Sequence, residues 1–165
     1  MEIILEATRP KYSGCPSDVT VSSTSGNSAL AYWTAPVASD NVGITSDVGS
    51  ATSGDSFPIG NTGVTYTASD VAGLTETCSF NVIVGDGQAP VFDSCPSSAS
   101  FNTDSGVDYT SVNHISLVSA SDNFDNSVTV SLISGADSGS QFTVGTHTIV
   151  YEASDDNDNT CLLYT

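Results

Sequence analysis

Short runs in which Val, Ile, Leu, Tyr or Phe alternate with Ser and Thr recur along the whole chain, and clusters of Gly, Asn, Asp and Ser separate them. Alternation with a period of two puts one face of a strand in a core and the other in water. No stretch shows the three-to-four-residue apolar spacing of an amphipathic helix. The pattern predicts strands at Val19 to Ser23, Leu30 to Thr34, Ile44 to Val48, Val64 to Ser69 and Cys78 to Val84, and then at Ser100 to Asn102, Val112 to Val118, Val128 to Ile133, Thr146 to Ala153 and Cys161 to Tyr164. Many short strands punctuated by turn residues imply an all-β sandwich architecture.

The strands repeat. Cys15-Pro16-Ser17 returns as Cys95-Pro96-Ser97 after 80 residues, and Thr77-Cys78 returns as Thr160-Cys161 after 83. Ala38-Ser39-Asp40-Asn41 answers to Ala120-Ser121-Asp122-Asn123. Val64-Thr65-Tyr66-Thr67-Ala68-Ser69-Asp70 answers to Ile149-Val150-Tyr151-Glu152-Ala153-Ser154-Asp155, and Phe57-Pro58-Ile59-Gly60 to Phe142-Thr143-Val144-Gly145. Landmarks agreeing in order at one period define tandem modules of small-domain size. The expected division is residues 8–86 and 87–165, with residues 1–7 as the last strand of a preceding module or a donor strand. The linker between modules is Gly85-Asp86-Gly87-Gln88-Ala89-Pro90.

Composition then excludes several functions. With a net charge of −17 and only Arg9 and Lys11 as strong bases, no surface can neutralise nucleic-acid phosphates or anionic lipid. No apolar run approaches the roughly 20 residues that span a bilayer as a helix, so membrane insertion is not expected. Each module owns two cysteines without the close spacing of a zinc site, which favours disulfides and an oxidising compartment. An immunoglobulin-like sandwich brings its first strand beside its last, so the pairs are Cys15 with Cys78 and Cys95 with Cys161.

These residues resemble the hyalin repeat, or HYR, family. Cys15-Pro16-Ser17-Asp18-Val19-Thr20-Val21, Trp33-Thr34-Ala35-Pro36, Phe57-Pro58-x-Gly60, Val64-Thr65-Tyr66-Thr67-Ala68-x-Asp70-x-Ala72-Gly73 and Thr77-Cys78-Ser79-Phe80 are similar to its pattern nearly end to end. The second copy departs from it: Ile115 stands where Trp33 stands, Val118 replaces Pro36, and Asp156-Asn157-Asp158-Asn159 replaces the Ala-Gly turn. The resemblance implies two tandem immunoglobulin-like β-sandwich domains, each with one disulfide, in an extracellular or cell-surface protein without enzymatic activity.

Met1-Glu2-Ile3-Ile4-Leu5-Glu6 precedes Pro10 as Asn81-Val82-Ile83-Val84-Gly85-Asp86 precedes Pro90. It has the pattern of a last strand without its domain, while the second copy is clipped after Cys161. Two readings fit: a fragment of a longer array, or a subunit that polymerises head to tail by strand exchange. In the second, the junction residues are Ile3, Ile4, Leu5, Leu162, Leu163 and Tyr164. The first partners are then copies of the chain or neighbouring modules. The alternative function is a glycan- or receptor-binding module of a larger surface protein, for which an exposed patch of Tyr12, Tyr32 and Trp33 would be the sign. Abundant Ser and Thr permit O-linked glycan.

The topology also gathers acids at the end where each linker enters: Glu6, Asp40 and Asp70 in the first module, and Asp86, Asp122, Asp125, Asp155, Asp156 and Asp158 in the second. Converging hard oxygens suit Ca2+, whereas Asp and Asn also serve simply as turn formers. Asp155 to Thr160 lacks the glycine and terminal Glu of an EF-hand loop. No cofactor is required. Trp33 is expected in the core, and Tyr66 and Tyr151 as half-buried phenols. His114 and His147 lie on different strands and offer no triad motif.

Overall fold

The computed structural model describes residues 8–94 and 98–164, which form two units, Met1–Asp86 and Gly87–Thr165. In the first unit the strands are β1 (Lys11–Ser13), β2 (Val19–Ser23), β3 (Ser28–Leu30), β4 (Val37–Ser39), β5 (Ile44–Gly49), β6 (Ser56–Pro58), β7 (Gly60–Asp70) and β8 (Thr75–Asp86). The principal sheet has the order β2-β8-β7-β5, and β1 pairs with β4 and β3 with β6. All these ladders are antiparallel except β2 with β8, which is parallel and joins Val19 to Val82 through to Ser23 with Asp86.

β7 and β8 follow from their sequences. Val64, Tyr66 and Ala68 on one, and Cys78, Phe80, Val82 and Val84 on the other, are the buried alternate residues of long antiparallel strands. All of them except Ala68 meet Ala31 and Phe57 in one core, with Tyr12, Val21, Trp33 and Ile59 packed at its edge. The Trp33 ring lies edge-on to Phe57 at 5.9 Å and to Phe80 at 5.3 Å, so it bridges β6 and β8. Its Nε1–H donates to the Tyr66 hydroxyl at 2.9 Å. The Cys15–Cys78 cystine spans a sequence separation of 63, and closing such a loop contributes about 4 kcal/mol in the chain-entropy treatment.

The second unit contains β9 (Val91–Ser94), β10 (Tyr109–Ser111), a 3-10 turn (Ile115–Leu117), β11 (Ser119–Ser121), β12 (Thr129–Ser134), β13 (Gln141–Thr143), β14 (Val150–Ser154) and β15 (Thr160–Tyr164). Its sheets are β12-β14-β15, β9 with β11, and β10 with β13. Each matches a sheet of the first unit: β5-β7-β8, β1 with β4, and β3 with β6. Only β2 has no counterpart among the described residues.

That difference explains two departures from the expected strands. In the first unit, β2 pairs with Val82 to Asp86, and the first residues of β7, Gly60 to Thr62, pair with Val84 to Val82. In the second unit the β14–β15 ladder runs from Ser154 with Thr160 to Val150 with Tyr164. Beyond that point no last-strand backbone is described to pair with either neighbour. Ser100 to Asn102 is accordingly not a strand, and the expected Thr146 to Ala153 strand begins at Val150. A backbone without a ladder partner has no reason to stay extended.

Other expectations shift for local reasons. The strand foreseen at Leu30 to Thr34 ends at Leu30, because the next backbone groups turn to the 51–55 loop: Ala31 N donates to Asp55 O, and Trp33 N to Ser53 Oγ. The strand foreseen at Val112 to Val118 gives way to the 3-10 turn, whose first N–H, that of Ile115, donates to Ser138 Oγ. Three-residue strands such as Lys11–Ser13, Val37–Ser39 and Gln141–Thr143 are too short for an alternation to announce them.

The cysteines of the two repeats are also not equivalent in register. Tyr66 pairs with Cys78 in the first unit, whereas Tyr151 pairs with Leu163 and Cys161 pairs with Ala153 in the second. Cys161 thus stands two residues nearer the turn than its sequence match suggests, still on the same face of its strand. It is a free thiol, and Cys95, its expected partner, lies outside the described residues.

Candidate functional site

Two places in the fold carry unsatisfied chemistry. The first is a pair of acidic turns at one end of each unit. In the first unit, Asp40 Oδ1 accepts the N–H groups of Val42 and Gly43 at 2.9 and 3.1 Å, and Asp70 Oδ1 those of Ala72 and Leu74 at 2.8 and 2.9 Å. The ladder brings these turns together, since Ile44 pairs with Asp70 and Thr45 Oγ1 donates to the Asp70 carbonyl at 2.9 Å. Asp70 is only 2% exposed. The second oxygen of each carboxylate, Asp40 Oδ2 and Asp70 Oδ2, is buried without a hydrogen-bond partner. The Val42 N–H, with Gly43 and Asn41, holds the Asp40 carboxyl below its ordinary pKa against the opposing effect of burial.

The second unit repeats the arrangement with different residues. Asp122 Oδ1 accepts the N–H groups of Phe124 and Asp125 at 2.8 and 3.1 Å, and Asp155 Oδ1 those of Asn157 and Asn159 at 2.9 and 2.8 Å. Asp122 and Asp155 each present a carboxylate oxygen within 4.8 Å of the other. Asp122 Oδ2 is again buried without a partner, while Asp155 Oδ2 accepts the Asn159 side-chain amide at 2.8 Å. Burial pushes the Asp155 carboxyl up, but its bonds to Asn159 and Asn157 outweigh that and lower it. Asp125, which accepts the Asp156 N–H, is raised by burial first and then by the charges of Asp156, Asp155 and Asp122. Asp158 takes the positive φ of 63° that Gly73 supplies in the first unit, at 81°, so the turn keeps its shape although its sequence changes.

Of the acids expected to ligate, the structure therefore brings together Asp40 with Asp70 and Asp122 with Asp155. Asp156 and Asp158 are exposed turn residues, and Glu6 lies outside the described residues. Asp86 is the buried last residue of β8, in register with Ser23.

The second place is a groove of about 570 Å3 in the second unit, between the 98–103 segment and the 142–149 segment. Phe101, Val112, Leu117, Phe142, Ile149 and Tyr151 line it. It opens where Val82 and Val84 fill the core of the first unit. Val21 and Ile59 there pack on that core, whereas their sequence counterparts Phe101 and Val144 are 54% and 77% exposed. Of the expected junction residues, Leu162, Leu163 and Tyr164 lie on β15, an edge strand among the described residues, and Leu162 is exposed. Ile3, Ile4 and Leu5 lie outside the described residues.

His114 sits at the base of this groove. The alignment of the repeats puts Ile115 opposite Trp33, but Ile115 is exposed, and it is His114 that takes Trp33's role. Its ring is edge-on to Phe142 at 5.8 Å and its Nδ1 meets the Tyr151 hydroxyl, as Trp33 meets Phe57 and Tyr66. The Ala136 carbonyl lies 2.9 Å from Nε2 and can only accept, so Nε2 carries a proton and donates to it. His147 Nε2 binds the Thr143 carbonyl. Neither imidazole bonds to a carboxylate or a serine hydroxyl in these contacts. Of the aromatic patch around Trp33, Tyr32 is exposed at 67%, but Tyr12 and Trp33 are partly buried, and the Tyr12 hydroxyl donates to Asp47 at 2.6 Å.

A pair of sheet-built units with a strand-linked core and a Cys15–Cys78 staple defines a tandem β-sandwich protein. The HYR domain model matches residues 6–84 and again 85–162, so the chain belongs to the HYR family and carries two of its repeats. It is 40% identical over 88 residues to the sushi, von Willebrand factor type A, EGF and pentraxin domain-containing protein 1 of Rattus norvegicus. It is 40% identical over 84 residues to hyalin of Strongylocentrotus purpuratus. These alignments cover 50% and 48% of the chain but only 2% and 7% of the relatives, so the likeness is that of a repeat within much longer proteins.

Proposed function

We propose that the chain is a non-enzymatic extracellular adhesive or structural unit, joined head to tail in a linear array by β-strand pairing. One observation carries this reading: the second repeat has an apolar groove and an unpaired β15 edge where the first repeat has β2 and the last residues of β8. A strand added there would pair on both sides, parallel to residues 99–103 and antiparallel to 145–147, as Val82 to Asp86 does in the first repeat. Glu2-Ile3-Ile4-Leu5-Glu6 has the matching pattern, with Ile4 at the place of Val84 and Glu6 at that of Asp86. Strand addition through a heterologous surface does not close on itself and so yields a filament. The Cys15–Cys78 cystine supports an oxidising, extracellular setting.

The test is assembly of the chain at high concentration, followed by sedimentation and electron microscopy. Linear oligomers should form, and deletion of residues 1–7 or Ile4→Asp should leave monomers that a peptide of residues 1–7 no longer links but still occupies. Chains that stay monomeric with intact termini, or filaments that survive the deletion, would refute strand exchange.

A further inference from the structure

We propose that His147 makes the groove of the second repeat selective for the charge of the strand it takes: a guest with a carboxylate opposite His147 is preferred when the imidazole is protonated, and one with an aliphatic residue there when it is neutral. The inference rests on the strand-addition reading above and adds to it the chemistry of the partner.

The first repeat shows where the guest residue lies. Thr62 stands directly across from Val82, and Val82 is fully buried, so the pair faces the core. Phe57 to Gly60 corresponds to Phe142 to Gly145, which puts His147 at the place of Thr62. A strand added to the second repeat in the register of Val82 to Asp86 therefore sets its first inward residue against His147 and its second against Gly145. The imidazole lines the groove, edge-on to Phe142 at 5.2 Å. It also reaches toward Gly145, since its Nε2 lies 3.9 Å from where a Cβ on that glycine would stand.

Hydrogen bonding leaves one nitrogen for the guest. Nε2 lies 2.9 Å from the Thr143 carbonyl, which can only accept, so Nε2 carries a proton in either charge state. Nδ1 is then the nitrogen that gains or loses one, and it has no hydrogen-bond partner among the described residues. Protonation there creates a donor and a positive charge in the groove. Covering that charge with an apolar strand is unfavourable, whereas a carboxylate accepts the new N–H and offsets the charge. Histidine changes charge between about pH 5 and pH 8, where a glutamate side chain stays largely ionised.

The surroundings supply no competing carboxylate. The chain has 19 Asp and Glu residues, yet none lines the groove, whose titratable side chains are His114, His147 and Tyr151. His114 shares the Phe142 ring with His147 but is committed to the Ala136 carbonyl and the Tyr151 hydroxyl. In the flanking loop, Asp104 accepts the Thr110 hydroxyl. Arg9 and Lys11 belong to the first repeat. The counter-charge for a protonated His147 must therefore come with the guest.

The experiment uses the full-length Ile4→Asp chain, whose groove is free, and two fluorescent peptides: residues 81–88, which carry the strand that fills the equivalent place in the first repeat, and the same peptide with Val82→Glu. Binding is read by fluorescence anisotropy. Lowering the pH from about 8 to about 5.5 should raise the affinity of the Val82→Glu peptide relative to the unaltered one by about tenfold. His147→Thr, which restores the residue of the first repeat, should bind both peptides with a ratio that no longer depends on pH. The chain has two histidines, and in proton NMR the imidazole signal missing from His147→Thr should titrate at higher pH with the Val82→Glu peptide bound than with the unaltered one. Binding of neither peptide would overturn strand addition itself. Binding with a ratio independent of pH, or with a pH dependence that His147→Thr retains, would overturn the role of His147 and leave strand addition standing.

Discussion

Replacing Cys15 and Cys78 together by alanine removes the crosslink while leaving every ladder of the first repeat in place. The two cysteines are 63 residues apart, and freeing a loop of that length returns about 4 kcal/mol of conformational entropy to the unfolded chain. Small domains have only about 5–15 kcal/mol in total, so the first repeat should become marginal. With a urea dependence of about 1–3 kcal/mol/M, the midpoint should fall by roughly 1.5–4 M. The assay isolates one repeat, because Trp33 is the only tryptophan and it packs on Phe57 and Phe80 of the first core. Its fluorescence follows that unit alone, and far-UV circular dichroism follows the remainder. A midpoint shift below about 0.5 M, equivalent to roughly 1 kcal/mol, would show that the loop is already closed in the unfolded ensemble and that the entropy argument fails.

Tyr66→Phe leaves the Trp33 indole N–H without its acceptor and should cost the first repeat about 1–3 kcal/mol by the same fluorescence assay; no change would mean that water takes over the bond. His114→Phe keeps the ring against Phe142 but strands the Tyr151 hydroxyl and the Ala136 carbonyl. The second repeat should lose a similar amount, about 1–3 kcal/mol, while Trp33 reports no change. Tyr12 is held protonated well above its usual range, chiefly by burial and then by its bond to Asp47. A raised folded pKa gives stability that is intact below the unfolded value near 10 and is lost as pH rises beyond it, so alkaline unfolding should be steeper for the native chain than for Tyr12→Phe, and equal slopes would refute the coupling. In chain made under oxidising conditions, non-reducing peptide mapping should find Cys95 joined to Cys161, since Cys161 keeps the face that Cys78 uses; two titratable thiols would refute that pairing.

The long strands and their landmarks were legible because they are buried on one face, and that burial writes a period of two into the residues. Val19–Ser23 is a strand as the alternation predicts, and Val64 to Ser69 and Cys78 to Val84 lie within β7 and β8. The acidic turns were legible too, as Asp residues at matched places in both copies. Their buried, unpartnered second oxygens were not, because burial is set by the segments that fold around a turn and not by the letter at it. The exchange of Trp33 for His114 was hidden by a one-residue offset: alignment follows neighbours along the chain, whereas ring contacts with Phe142 and Tyr151 depend on how the 3-10 turn carries His114 inward.

By itself the sequence determined the all-β class, the two HYR repeats and the acidic character, since these rest on period, spacing and composition, which need no partner across space. Tertiary structure alone decided where the ladders end, that Cys161 lies two residues out of step with Cys78, and that the second repeat opens a groove where the first has a strand. Those outcomes depend on which backbone finds a neighbour to bond. That pairing is a property of distant segments meeting, and no local run of residues contains it.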